Sequence, residues 1–172
     1  IVDYEPEFRP QHPSALSRTC LRAIPSLNLD SGKTLSEKKS FSHTKANKLG
    51  EAFFKSLFNE ISSDLSRWRA SGFWPKIVVG VPAFLLENTD LPRVMENIIA
   101  GQDIESESIT LELFESDSSH LNARVQKVLS CMRLKGFKTR TVVTDGGEAA
   151  LFSDDSLPID QFMVDLGDYV SS

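Results

Sequence analysis

The sequence predicts an α/β fold built on a mostly parallel sheet with outer helices, and two observations predict it. KIVVGVP (residues 76–82) is a nearly continuous apolar run, as expected of a strand covered on both faces. From residue 49 onward, helical and strand patterns alternate in the order α-β-α-β-α-β-turn-β. That alternation, at that spacing, implies right-handed βαβ units on one sheet.

The elements follow in order. Val2, Tyr4, Pro6 and Phe8 alternate through VDYEPEF and read as a short edge strand, because Pro6 has no donor for a central ladder. Pro10 and Pro13 mark a loop, and TCLRAI (19–24) reads as a second strand. Residues 25–47 hold few apolar side chains and read as a long surface segment with some helix near Ser36. Lys39 stands where a capping-box glutamate would be. Leu49, Phe53, Leu57, Ile61, Leu65 and Trp68, widened by Phe54 and Phe58, make one apolar face of a long helix stopped by Gly72. A shorter helix is expected over 90–100 on Leu91, Val94, Met95, Ile98 and Ile99. SITLELF (108–114) is the next strand. Leu121, Val125, Val128, Leu129 and Met132 share the face of a helix ended by Gly136. KTRTVVT (138–144) is strand, DGGEAA a turn and DQFMVDL (160–166) a last strand.

Composition limits the function classes. A 172-residue chain with 40% hydrophobic and 25% charged residues suits one globular domain, here 1–172. No run of 18 apolar residues encodes a membrane span. The chain opens at Ile1 without a charged-then-apolar leader, and is expected to be a piece of something longer, in the cytoplasm or on the cytoplasmic side of a membrane-attached protein. The net charge of −5 hides an asymmetry: Phe8–Lys48 holds eight Lys and Arg against two acids, whereas Thr141–Ser172 holds seven acids and no Lys or Arg. Without aromatic interleaving or a nucleic-acid motif, the basic part reads as a solvated face or a surface meeting the acidic end, and no nucleic-acid partner is expected. Cys20 and Cys131 lie in no metal or redox spacing, and His12, His43 and His120 are isolated. TDGGEA has neither the GxGxxG pattern nor the lysine of a phosphate loop, and reads as a tight turn.

SRWRASGFWPKIVVGVPAFLL, LELFES, MRLKGFKTRTVVTDGG and LPIDQFMVDLGDYV, in that order, resemble the middle of the EAL domain, whose motifs read VNLS, LEITES, DDFGTG and LKID. YEPEF is similar to that family's opening YQPI. The resemblance covers residues 49–170 well and 1–48 weakly. It implies a TIM-barrel-derived fold, incomplete or open, since six strands are readable where a closed barrel has eight. It further implies a bacterial signalling context, in which the family hydrolyses or senses cyclic di-GMP by way of two divalent metals held by carboxylates and an Asn.

Position by position, the resemblance implies a dismantled site. Glu112 matches the metal-binding glutamate of LEITES and Glu115 the supporting one, here either relics or surface residues. Asp145 and Asp165 match the second Asp of DDFGTG and the Asp of LKID. Thr144 stands for the Asp that ligates both metals, Gly80 for the Asn of VNLS and Met163 for the Lys of LKID. The E-A-L-x-R motif falls on Arg18–Arg22, so Arg18 reverses the charge of the signature glutamate while Arg22 keeps the final Arg, a candidate nucleotide contact. The expectation is a catalytically inactive regulatory module with no resident cofactor, acting on a protein partner in preference to sensing cyclic di-GMP. Homodimerisation near Ala149–Ser156 is the expectation carried over from the family. Two alternatives stand beside it: a magnesium- or manganese-dependent phosphodiesterase completed by segments outside this chain, and an unrelated α/β domain.

Overall fold

In the computed structural model, residues 1–7, 19–113, 122–143 and 158–164 are described. β1 (Val2–Glu7) pairs antiparallel with β2 (Cys20–Pro25), and a small hairpin of β3 (Leu27–Asn28) and β4 (Thr34–Leu35) follows. Then come α1 (Glu37–Ala46), α2 (Gly50–Ala70), β5 (Lys76–Val81), α3 (Leu91–Ala100), β6 (Ile109–Leu113), α4 (Ala123–Leu134), β7 (Lys138–Val143) and β8 (Gln161–Val164). The main sheet has the order β1-β2-β5-β6-β7-β8, parallel from β2 onward. β1 and β8 end that order, so the barrel is open, as the strand count in the sequence predicts.

Two faces of this sheet have opposite chemistry. Along β5, Ile77, Val79 and Val81 belong to the helix-side core, as do Ile109, Leu111 and Leu113 of β6. Against them pack Phe54, Leu57, Phe58, Ile61 and Leu65 of α2, Met95 and Ile99 of α3, and Val125, Val128, Leu129 and Met132 of α4. Strand alternation then turns the other set to the inner face: Arg22, Val78, Gly80, Glu112, Arg140 and Met163. Gly72 and Gly136 end their helices at φ +84° and +91°, where a side chain would be strained. Asn122 caps α4, its side-chain oxygen accepting from the N–H groups of Arg124 and Val125.

Two readings need correction. Leu49 is 56% exposed and lies before α2, so the buried stripe is carried by Phe54, Phe58 and their neighbours rather than by Leu49 and Phe53. Residues 25–47 are also more than a surface segment. Phe41 of α1 is buried, its ring edge-on to Phe53 at 5.2 Å, and the Ser40 and Thr44 hydroxyls donate to the carbonyls of Ser36 and Ser40. One large side chain in a polar stretch is too weak a periodic signal to reveal a docked helix.

Candidate functional site

The inner face holds a chain of charges. Glu112 on β6 stands in register with Gly80 on β5 and Arg140 on β7. Arg140 Nε donates to Glu112 Oε2 at 2.7 Å, and its Nη1 and Nη2 donate to Glu7 Oε2 and Oε1 at 2.8 and 2.5 Å. Arg22 on β2 pairs with Glu112 Oε1 and donates from Nη2 to Glu37 Oε2, on the first residue of α1, at 2.8 Å. The sequence Glu7–Arg140–Glu112–Arg22–Glu37 thus joins β1, β7, β6, β2 and α1 through alternating charges, three acids and two bases, for a formal net of −1.

The geometry requires curvature. Three strands separate β1 from β7, and at about 4.8 Å per strand a flat sheet would hold them roughly 19 Å apart. Arg140 nevertheless grips Glu7 with both terminal nitrogens. The open sheet is therefore curled around its inner face, and the Arg140–Glu7 pair crosses the concavity. Arg22 reaches Glu112 across β5, above Val78 and the side-chain-free Gly80.

Burial makes these contacts consequential. The side chains of Arg140 and Glu112 are 2% and 5% exposed. At Glu7, burial pushes the carboxyl up, but the Arg140 hydrogen bond and charge outweigh it, with help from the Cys20 thiol, and hold it below its ordinary value. Burial is also the largest influence on Glu37, and there it wins: the carboxyl lies above its ordinary value despite Arg22. Among the described residues, its Oε1 is buried without a hydrogen-bond partner. Arg140 is held more firmly protonated than usual, because Glu7 and Glu112 together overcome the effect of burial.

Of the positions singled out by the sequence, Glu112, Gly80, Arg22 and Met163 lie on this inner face. Glu112 is buried at 4% exposure and is not a surface residue, because two guanidiniums replace its hydration. Met163 is 43% exposed on the end strand. Arg18, Glu115, Thr144, Asp145, Asp165 and the stretch 149–156 lie outside the described residues. Arg140, Glu7 and Glu37 were missed. A pairing of strands at equal height would have found Arg140, since it is the in-register neighbour of Glu112.

The described residues do not fit the metal pair that the resemblance implies. Both oxygens of Glu112 are engaged by arginines, and Gly80 offers no donor. A divalent ion about 4 Å from one guanidinium would meet roughly 8 kcal/mol of repulsion at an effective dielectric near 20. Among the described residues no group of three or more His, Cys, Asp or Glu side chains could hold a metal ion. No helix among them is long and apolar enough to cross a membrane.

No family model matches the sequence, and no curated protein matches it. Solved structures do. The FimX EAL domain from Pseudomonas aeruginosa bound to c-di-GMP is similar with a TM-score of 0.81 and 13% identity, over 99% of this chain and 67% of that one. The PaMucR phosphodiesterase in its c-di-GMP complex gives 0.80 and 14%, over 100% of this chain and 70% of that one. The EAL enzyme Bd1971, bound to cAMP and cyclic di-GMP, gives 0.80 and 14%, over 100% of this chain and 48% of that one, so this chain spans about half of that protein's length. The chain thus has the fold of the EAL domain, in an open six-stranded form whose inner face is closed by paired arginines and glutamates.

Proposed function

We propose that this chain is a catalytically inactive EAL-type regulatory module, cytoplasmic and part of a larger bacterial signalling protein, that acts by binding a protein partner. The observation that carries this reading is the state of Glu112, buried and paired through both oxygens to Arg22 and Arg140. A hydrolytic site needs that carboxylate for a cation that then activates water. Here guanidiniums have taken the place of the cation, and a guanidinium has no open coordination position to offer.

Cyclic di-GMP, bound by the structural neighbours, is the competing ligand. Its two phosphodiester groups are negative, whereas the five paired side chains carry a formal −1 and both arginines are already engaged by carboxylates. Binding there has to break existing charge-assisted bonds. A protein partner that reads the rim need not break them.

The test is incubation with cyclic di-GMP and magnesium or manganese, together with calorimetric titration. The expected result is no hydrolysis and no binding in the micromolar range. Turnover that is abolished by Glu112→Gln would establish a working phosphodiesterase instead. Micromolar binding without turnover would favour nucleotide sensing over the protein partner.

A further inference from the structure

The turn between α2 and β5 presents two consecutive aromatic side chains to water: Phe73 is 39% and Trp74 61% exposed. Single apolar residues at a surface are ordinary, but this pair is held in place. The Phe73 ring meets Trp68 edge-on at 6.0 Å, and Trp68 meets Tyr4 in the same manner at 4.8 Å. The Arg69 guanidinium lies over the Trp74 ring at 4.9 Å, and its Nη1 donates to the Asp103 carbonyl at 3.0 Å. Two local costs accompany that clamp. Asp103 adopts φ +54°, and among the described residues Arg69 Nε is buried without a hydrogen-bond partner. Backbone strain of this kind concentrates at binding sites, and an unpaired buried donor is uncommon in a relaxed fold. Between the indole and the loop after α3 lies a cleft of about 260 Å³, walled in part by Arg69, Trp74, Gln102 and Asp103. It opens where the chain enters β5 and β6, away from Gly80 and Glu112 near the other ends of those strands. Arg69 and Asp103 cancel in formal charge, so the cleft selects by shape and hydrogen bonding rather than by sign.

We propose that this cleft docks a proline-rich extended segment of a partner protein, with one proline ring laid on Trp74 and a neighbouring one against Phe73. A polyproline II segment has no internal hydrogen bonds and its prolines carry no donors, so it offers bare carbonyls and flat apolar rings. The cleft offers the complement: an indole face, and N–H donors on Trp74, Gln102 and Arg69. Such a ligand is stiff before it binds, and Trp74 is already held by Arg69, so little ordering entropy is lost on either side. A globular partner with a flat face would cover Phe73 and Trp74 yet leave the cleft empty. The inference is independent of the state of Glu112 and stands whether or not the inner face turns over cyclic di-GMP.

Decaproline is the probe and a Gly-Ser peptide of equal length the control, each titrated calorimetrically into the wild-type chain, Trp74→Ala and Trp74→Phe. Wild type is expected to bind decaproline saturably, with a dissociation constant below about 1 mM, and to ignore the control. Trp74→Ala is expected to weaken binding at least about tenfold, as for an aromatic anchor, and Trp74→Phe, which keeps a ring, to fall between. Trp74 is mostly exposed, so its loss removes little core packing. Fluorescence of the wild-type chain gives a second reading: decaproline is expected to shift the emission to shorter wavelength. Trp74→Ala, in which Trp68 is the one tryptophan left, is expected to lose that shift. No saturable binding by wild type, equal binding by Trp74→Ala, or equal binding of the Gly-Ser peptide overturns the docking site. Co-sedimentation with phosphatidylglycerol vesicles that Trp74→Ala abolishes, without decaproline binding, would assign the aromatic pair to a membrane surface instead.

Discussion

Glu112→Ala is expected to lower the free energy of unfolding by about 3–5 kcal/mol, the cost of removing one partner from a buried ion pair. The side chain is 5% exposed and is the only acid between Arg22 and Arg140 within the described chain of pairs. Without it two guanidiniums face one another across the inner face, Arg22 still paired with Glu37 and Arg140 with Glu7. The loss therefore exceeds that of a broken surface salt bridge, which is worth under about 1 kcal/mol. Urea unfolding of Glu112→Ala beside Glu112→Leu/Arg140→Met measures it. The double variant removes acid and base together and leaves Arg22 with Glu37, but it strips Glu7 of the guanidinium that holds both its oxygens, so it should recover only part of the loss. If Glu112→Ala unfolds at the wild-type urea midpoint, the inner network does not hold the fold.

Phe58→Ala should cost about 3–5 kcal/mol, by loss of transfer energy and by the cavity left behind. Phe58 is fully buried near the middle of α2, stacked on Phe54 with ring centroids 6.0 Å apart and tilted against Phe137 at 6.4 Å. It ties the long helix to the turn between α4 and β7, so truncation loosens two layers at once. A groove of about 330 Å³ between α2 and α3 already borders Phe58, lined also by Leu91, Met95 and Ile98. The new space opens into that groove and can relax, which places the expected value at the lower end of the range. A thermal or urea midpoint within error of wild type would show that the α2 aromatic stripe is not the core.

The strands of the sheet were legible because a strand sandwiched between helices and an inner face reads as an apolar run. KIVVGV and ITLEL are of this kind, and their buried patterns match. Helices α2, α3 and α4 were legible from apolar spacing, and α2 and α4 also from the glycines that follow them. α1 was only half legible, since its burial depends on Phe41, Ser40 and Thr44, and two of those look polar in sequence. The hairpin of β3 and β4 has two residues per strand, too few for alternation to show. The candidate site was read through its losses: Glu112 kept, Gly80 without a donor, Met163 without a charge. The partners of Glu112 could not be read that way. Arg140 sits between two threonines in KTRTVV and resembles any exposed strand residue until its register with Glu112 is known. Glu7 and Glu37 come from β1 and α1, 30 residues apart in sequence, and meet Glu112 only through arginines. Sequence distance hides such a relay, because each link is a long-range contact between different elements.

Arg22 and Arg140 engage both oxygens of Glu112, which leaves that carboxylate no free oxygen for a cation. Manganese titration followed by electron paramagnetic resonance tests it most directly. The wild-type chain is expected to leave the free manganese signal undiminished at millimolar metal. Stoichiometric loss of that signal in the wild type, prevented by Glu112→Gln, would contradict it.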